Sequence, residues 1–126
     1  MKTPIILSPL PHTWFIDIDG TIAKHNGYLV DGHDTLLPGV KTFFAGIPTE
    51  DRIILVSSRK EQYRKDTILF LQKNGIRFDE ALFEMPMGER ILINDSKSSG
   101  LQTALALNPK RNEGLADIVV SIDQTK

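Results

Sequence analysis

The sequence has no cysteine, so neither disulfides nor thiol chemistry contributes to its stability or its reactions. It has no apolar run that approaches the roughly 18 residues required to cross a bilayer. It also has no excess of positive charge: the formal net charge is -1, whereas proteins that bind nucleic acid duplexes usually carry a basic surface. We therefore expect neither a membrane nor extended nucleic acid as a partner, and any nucleophile must be oxygen or nitrogen.

The remaining composition is typical of one globular domain. The chain has 126 residues, of which 40% are hydrophobic and 25% charged, close to the averages for soluble domains. Domains most often hold roughly 100 to 150 residues, so we predict a single domain over residues 1–126. The segment 1–11 contains three prolines and one short apolar run, too short and interrupted for a signal peptide. This pattern predicts a cytoplasmic protein.

Apolar runs of strand length alternate along the chain with segments of helical spacing. Strands are predicted at 14–18, 53–56, 91–93 and 118–122, and helices at 38–47, 61–74 and 99–107. Pro38 suits the first turn of its helix, and Asn74-Gly75 is a stop signal for the next helix. The alternation favours an α/β fold with a mainly parallel sheet and helices on both faces.

Polar residues occur at the ends of three of these apolar runs, and ligands of parallel sheets bind at such positions. They are Asp17 and Asp19 at the first, Ser57, Ser58 and Arg59 after the second, and Asn94, Asp95 and Ser96 after the third. Because the carboxyl ends of parallel strands meet at one edge, the three clusters are predicted to converge. An isolated Asp-Gly pair is better explained by a turn, and an isolated arginine by a solvated loop. The hypothesis of a site therefore depends on all three clusters together.

The run 17–21, Asp-Ile-Asp-Gly-Thr, places two carboxylates two residues apart. Such a pair suits a divalent cation, because Mg²⁺ prefers oxygen ligands and takes one or two carboxylates together with substrate phosphate. Asp17, Asp95 and Asp19, the last through its backbone carbonyl, would supply these ligands. Asp17 is also a competent nucleophile toward phosphorus, with Asp19 as a candidate general acid and base.

The apolar strand that ends in Asp-x-Asp-Gly-Thr resembles the first signature of the haloacid dehalogenase (HAD) superfamily. The run that ends in Ser57, with Ser58 beside it, resembles the second motif, whose Ser or Thr binds phosphoryl oxygens. Arg59 follows as in members where an arginine clamps phosphate. The run that ends in Asn94-Asp95 resembles the acidic fourth motif, which makes Asp95 the magnesium ligand. The resemblance spans roughly 15–107 and implies a Rossmann-like, three-layer α/β/α fold.

The third motif of that superfamily, a lysine or arginine beside the nucleophile and the phosphate, has no clear match. Lys97, next to the metal ligand, is the first choice as a phosphate-binding cation, and Lys65 and Arg64 on the predicted helix come second. Arg90 directly precedes the predicted third strand and is expected at the wrong end of the sheet. Many members carry another acidic residue just after the fourth motif, whereas residues 97–99 here are Lys-Ser-Ser.

The segment 22–37 is too short for the cap domain that relatives often insert. It predicts a hairpin-like flap around Asn26-Gly27, a favoured turn pair. An uncapped site must either accept a bulky substrate or be enclosed in part by a neighbouring subunit. A homo-oligomer is therefore one expected form. The flap residues His25, Tyr28 and His33 are candidates for substrate contact, with a solvated loop as the alternative.

The resemblance implies a magnesium-dependent phosphomonoester hydrolase that forms an aspartyl phosphate on Asp17. In its spacing the chain is similar to uncapped bacterial phosphatases of sugar and capsule biosynthesis. The expected substrate is therefore a small phosphorylated metabolite, a sugar phosphate or a nucleotide-linked sugar. A polynucleotide-end phosphatase, to which the pattern is also similar, is the alternative. A non-catalytic module of the same fold that binds a phosphorylated ligand, and a phosphomutase, are the other candidates; dehalogenation suits the second aspartate less well.

Overall fold

Five short strands and three helices form the regular structure of residues 2–126, the part of the chain that the computed structural model describes. The strands are β1 Thr3–Leu7, β2 Thr13–Asp17, β3 Arg52–Val56, β4 Glu80–Leu82 and β5 Ile118–Ile122. The helices are α1 Gly27–Val30, α2 Val40–Ala45 and α3 Arg64–Lys73, and a 3₁₀ turn at Glu61–Tyr63 leads into α3. Within these residues, no helix has the length and apolar character that a bilayer crossing requires.

All strand pairs are parallel, and they form two sheets. β2, β3 and β4 lie side by side in that order, and β1 pairs with β5. Because α2 connects β2 to β3 and α3 connects β3 to β4, the larger sheet consists of two successive strand-helix-strand units. The prediction of a mixed α/β chain with parallel strands is therefore confirmed. Asp17 of β2 is the partner of Val56 of β3, so the segments that follow these residues leave the sheet side by side.

One face of the three-stranded sheet forms the core. Its buried side chains share one cluster with apolar side chains of α2 and α3, namely Ile16, Ile53, Leu55, Val40, Phe44 and Leu71. Full burial of an aliphatic side chain of this size stabilises the fold by about 1.5 to 3 kcal/mol. The opposite face carries Phe15 and Leu82, which are 54% and 41% exposed. Helices therefore cover one face of this sheet in the described residues, and the three-layer arrangement is not confirmed.

The end of α3 follows the prediction from Asn74-Gly75. Gly75 has φ +70°, a conformation that glycine adopts without steric cost. Its N–H donates to the carbonyl of Gln72, and the N–H of Ile76 donates to the carbonyl of Leu71, both at 3.0 Å. This pair of bonds is the Schellman motif, in which an apolar residue after the glycine folds back onto the helix. Ile76 is accordingly buried in the core.

Two predicted elements are absent from the structure. The segment 91–93 is not a strand, and Ile91 and Ile93 are 83% and 90% exposed. An apolar run becomes a strand only where a neighbouring strand accepts its backbone hydrogen bonds, and no described strand pairs with this segment. The segment 99–107 is not a helix either. Helices of about nine residues are marginal unless an apolar face packs against the core, and most of this segment is exposed.

Two strands were not predicted. β1 contains Pro4, which lacks a backbone N–H and therefore makes a strand less expected from the sequence. Proline is tolerated here because β1 lies in a two-stranded sheet, where each strand has a neighbour on one side alone. β4 is only Glu-Ala-Leu, without the β-branched or aromatic residues that mark strands. It forms because β3 offers a free edge beside it, and Ala81 of β4 lies in the core.

Candidate active site

Asp17 is the last residue of β2, and its side chain is 32% exposed at the carboxyl edge of the sheet. Nη1 of Arg90 donates to Oδ1 of Asp17 at 2.8 Å, and the hydroxyl of Thr21 donates to Oδ2 at 3.0 Å. Thr21 reaches back because the chain turns tightly after β2: the N–H groups of Thr21, Ile22 and Ala23 all point at the carbonyl of Ile18. The result is an accessible carboxylate held between a hydroxyl and a guanidinium.

Gly20 makes this turn possible. Its φ is +84°, and its N–H donates to the carbonyl of Ala23 at 2.7 Å. The side chain of Arg111 packs across it, so that an added Cβ would lie 3.0 Å from Cγ of Arg111. The Asp-Gly pair is thus a turn, as the simpler hypothesis holds, and the turn also presents both aspartates at the sheet edge.

Ser57 directly follows β3 and is buried, whereas Ser58 is half-buried. The N–H of Ser57 donates to the carbonyl of Leu82 at 2.8 Å, and its hydroxyl oxygen accepts the N–H of Arg59 at 3.0 Å. The hydroxyl of Ser58 is 3.4 Å from the carbonyl of Pro86. Both serines therefore belong to the loop beside Asp17, and their role in binding phosphoryl oxygens stays a prediction.

Arg59 lies at the centre of a buried hydrogen-bond network, and its side chain is 1% exposed. Nε and Nη2 donate to the two oxygens of Asp19, each at 2.9 Å. Nη1 and Nη2 donate to the two oxygens of Asp34 at 2.9 and 2.7 Å, and Nη1 also donates to the hydroxyl of Thr67 at 2.8 Å. The ring of Tyr28 covers the face of the guanidinium, 3.9 Å from Cζ to the ring centroid.

This network engages all of the donors of Arg59, since a guanidinium group has five N–H bonds. Burial disfavours its charged form, but the hydrogen bonds and charges of Asp34 and Asp19 outweigh burial and hold the pKa of Arg59 above its ordinary value. To clamp a phosphate, Arg59 would have to release one of these carboxylates. In the described arrangement the N–H groups of Arg59 are bound to Asp19 and Asp34, whereas the prediction of a phosphate clamp requires donors that are free to bind phosphate.

The flap 22–37 folds back over Arg59. It contains α1 and is closed by an antiparallel bridge between Ala23 and Leu36. Tyr28 of α1 contacts Tyr63 edge-on, with 4.8 Å between ring centroids. Burial and the charge of Asp19 raise the pKa of Tyr28 above its ordinary value, so this residue remains neutral. Tyr28 thus packs against protein groups in this arrangement.

The cation beside Asp17 is Arg90, and the prediction that Arg90 lies at the wrong end of the sheet is wrong. That prediction assumed a strand at 91–93, which does not form, so the segment is free to bring Arg90 to Asp17. Lys97 is exposed, and its backbone N–H donates to Leu101; its side chain makes no hydrogen bond or ion pair with described residues. Arg64 pairs with Glu61 instead of the site.

The structure does not bring Asp95 to Asp17 and Asp19. Asp95 is exposed, and its backbone carbonyl accepts hydrogen bonds from Asn94 and Thr103. Residues 2–126 contain no group of three or more carboxylate or imidazole side chains placed to hold a metal ion. Moreover, the oxygens of Asp17 and Asp19 face guanidinium or hydroxyl donors, whereas Mg²⁺ requires oxygen acceptors around it. The described residues therefore do not fit a magnesium site in this arrangement.

Sequence reasoning missed Asp34, Thr67 and the contact of Arg90. A buried arginine requires a counter-charge, but the sequence shows neither the burial of Arg59 nor its contact with Asp34, 25 residues away. Thr67 lies on the predicted helix 61–74, and its sequence position does not indicate a contact with Arg59. No sequence pattern indicated the contact of Arg90 with Asp17, because the two residues are 73 positions apart.

The fold and the site define the chain as a mixed α/β protein with paired aspartates at the carboxyl edge of a parallel sheet. No family model and no curated protein matches the chain. Among solved structures it is similar to a chain in a Pnkp1/Rnl/Hen1 complex, with 28% sequence identity and a TM-score of 0.51. The match covers 66% of this chain and 31% of that chain.

Proposed function

We propose that the chain is a phosphomonoester hydrolase in which Asp17 is the nucleophile. The observation that carries this proposal is the half-buried Asp17 carboxylate 2.8 Å from the guanidinium of Arg90, at a sheet edge. Arginine binds phosphate through the same fork of donors that binds carboxylate. Arg90 makes one contact with Asp17 and is 41% exposed, so other N–H groups of Arg90 remain for phosphoryl oxygens.

In the first step, an oxygen of Asp17 attacks phosphorus in line with the departing oxygen. The bond from phosphorus to the leaving oxygen breaks, and that oxygen takes a proton from Asp19. Arg90 stabilises the charge that develops on the phosphoryl oxygens, and a preorganised donor of this kind typically contributes about 10²-fold or more in rate. Thr21 orients the nucleophile through its bond to Oδ2.

In the second step, water attacks the phosphorus of the aspartyl phosphate and gives its proton to Asp19. The bond between phosphorus and Asp17 breaks, which releases inorganic phosphate and restores the carboxylate. Both oxygens of Asp19 accept N–H bonds from Arg59, and each oxygen keeps a second lone pair that can take this proton.

The finer parts of the proposal follow from the resemblance in the motifs. They comprise membership of the HAD superfamily with a Rossmann-like sheet, and use of Mg²⁺. A cytoplasmic location is also proposed, from the sequence and not from this resemblance. Because the described residues do not form a magnesium site in this arrangement, no step above involves the ion. A metal titration tests its use directly: activity that chelation leaves unchanged would remove Mg²⁺ from the proposal.

For the substrate we propose a small phosphorylated metabolite, a sugar phosphate or a nucleotide-linked sugar. The formal net charge of -1 supports it, because a protein that grips a polyanion usually has a basic surface. The second candidate is the phosphorylated end of a polynucleotide. It is favoured by the motif pattern, which is also similar to that of polynucleotide-end phosphatases, and by the similarity to a chain in a Pnkp1/Rnl/Hen1 complex.

The experiment is phosphate release from a panel of phosphorylated sugars, nucleotides and oligonucleotides, by the wild-type chain and by Asp17→Asn. We expect the variant to fold normally and to lose activity by at least about 10³-fold, because an amide does not attack phosphorus. Asp66→Asn, a change of the same size on α3, is the matched control and should retain wild-type activity. Near-native turnover by Asp17→Asn would contradict the mechanism. A tenfold preference for a 3'-phosphorylated oligonucleotide over every sugar phosphate would replace the proposed substrate.

A further inference from the structure

We propose that Arg59 and Asp34 are positioning residues that orient Asp19 for proton transfer, and that Asp34 couples the flap to that orientation. The inference rests on the proposed function, since it concerns the group that moves the proton. Arg59 touches no reacting atom in this assignment; it acts through Asp19.

The geometry of the network determines the orientation of the Asp19 carboxylate. Two parallel bonds from Arg59 fix both oxygens of Asp19, so its plane follows the plane of the guanidinium. The guanidinium is itself fixed on the other side by two bonds to Asp34 and by one bond to Thr67. Thr67 is in turn held by its bond to the carbonyl of Tyr63 at 2.7 Å.

Charge and burial make each of these partners necessary. The side chains of Arg59 and Asp34 are 1% and 6% exposed, so water replaces few of their contacts. If Asp34 lost its charge, Arg59 would keep one carboxylate partner and would have buried N–H groups without good acceptors. Such groups are costly, so Arg59 would rotate to recover contacts, and Asp19 would move with it.

The flap supplies two of the contacts that fix Arg59. Asp34 and Tyr28 both belong to 22–37, whereas Arg59 follows β3 and Thr67 lies on α3. Opening of this flap would therefore remove one carboxylate and the covering ring from Arg59 at the same time. Asp19 is held by the full network only while the flap is closed.

The test compares Asp34→Asn with Asp31→Asn, a matched change in the same flap. Asp31 pairs with Lys24 and makes no contact with Arg59. In Asp34→Asn we expect kcat for an alkyl phosphate to fall by about tenfold or more, since small misplacements of catalytic groups cost up to about 10²-fold. An aryl phosphate needs little protonation of its leaving group, so its kcat should fall by less than about threefold. KM should change little for either substrate, and Asp31→Asn should match the wild type.

A second measurement does not depend on activity. The Nε–H of Arg59 is buried and bonded to Asp19, so its proton should exchange slowly with water and give a resolved ¹H–¹⁵N signal. We expect Asp34→Asn to weaken its protection and shift the signal, and Asp31→Asn to leave it unchanged. Thr67→Val removes an acceptor of Arg59 without altering the flap, and it should shift the Arg59 signal in the same way. This variant replaces Asp34→Asn in the test if Asp34→Asn does not fold.

These readouts separate the two proposals. If the wild-type chain releases no phosphate from any substrate, the proposed function fails, and the Arg59 signal alone decides whether Asp34 controls the contact with Asp19. If the chain is active, equal losses on alkyl and aryl phosphates would overturn the positioning role. An Arg59 signal that is the same in wild type, Asp34→Asn and Thr67→Val would overturn the coupling in either case.

Discussion

Two arginines contact the aspartates at the carboxyl end of β2, and their surroundings give them different chemistry. Arg59 is buried, and all of its N–H groups bind protein acceptors. Arg90 is 41% exposed and, within residues 2–126, makes a single hydrogen bond, to Asp17. A cation that is already neutralised by two carboxylates offers little to an anionic ligand, whereas Arg90 retains donors and solvent access. Arg90 is therefore better placed than Arg59 to bind a phosphoryl group.

This difference predicts the effects of substitutions at the cations. Arg90→Ala should lower turnover by about 10²-fold, because it removes the donor next to the nucleophile. Lys97→Ala should have little effect, since Lys97 is exposed and makes no side-chain contact with the site residues described. Steady-state kinetics on one alkyl phosphate would compare them. A larger loss for Lys97→Ala would restore the sequence-based choice of Lys97 and reject the contact of Arg90.

The individual residues also differ in how far the sequence predicted them. As predicted, Asp17 ends β2, and Ser57 and Arg59 follow the adjacent β3, because apolar runs that end in polar residues mark the carboxyl ends of buried strands. The partners of those residues were not predictable. Arg59 binds Asp34 and Asp19, and this depends on how the flap folds over it.

Among the elements, the loop 111–115 contacts both the turn after β2 and the segment that precedes α2. Asn112 donates its N–H to the carbonyl of Gly20 at 2.8 Å and accepts the N–H of His25 on its side-chain oxygen at 2.7 Å. Gly114 has φ +80°, and an added Cβ there would lie 1.9 Å from the carbonyl oxygen of Pro38. This loop therefore requires glycine for two reasons, the backbone conformation and the close approach.

Gly114→Ala should lower the free energy of unfolding by about 2 to 5 kcal/mol, from the left-handed backbone and the clash together. Gly32→Ala separates the two causes, since Gly32 has φ +77° with nothing within 4 Å of an added Cβ. That control should cost only about 1 to 2 kcal/mol. Urea unfolding of both variants measures the difference. Equal losses would show that Gly114 does not approach Pro38 as closely as described.

Most of the elements confirmed from the sequence have an apolar face that is buried in the fold. β2, β3 and α3 have such faces, and their side chains share the core cluster. β5 was predicted with its observed bounds, although it is largely exposed, because its β-branched residues suit a strand wherever a partner exists. That partner is β1, at the other end of the chain.

At the scale of the whole molecule, regular structure is unevenly distributed. The segment 88–107 has no helix or strand, and it exposes apolar side chains at 91–93 and at Leu105. Within the described residues its backbone makes two backbone–backbone hydrogen bonds, between Lys97 and Leu101 and between Gly100 and Lys97, and the carbonyl of Asp95 accepts two more from side chains. The segment nevertheless contributes Arg90 to the site.

This distribution predicts a contrast in amide hydrogen exchange. Amides in 88–107 should exchange within about tenfold of the rates of an unfolded chain, because few are hydrogen-bonded or buried. Amides of β2 and β3 should be protected to near the limit of global unfolding. Exchange followed by mass spectrometry of peptides from both regions would measure this. Protection at 91–93 similar to that of β3 would support the strand predicted from the sequence instead.

The sequence alone determined the α/β class, the parallel strands around Asp17 and Ser57, and the turn at Gly20. These features depend on local patterns of apolar residues and on the backbone conformations open to glycine, which hold in any surroundings. The tertiary structure alone decided whether 91–93 pairs as a strand, which cation meets Asp17, and how Arg59 is neutralised. Those outcomes depend on contacts between residues far apart in the chain, such as Asp19 with Arg59 and Asp17 with Arg90. The energy of such contacts depends on burial and distance, which local patterns do not specify.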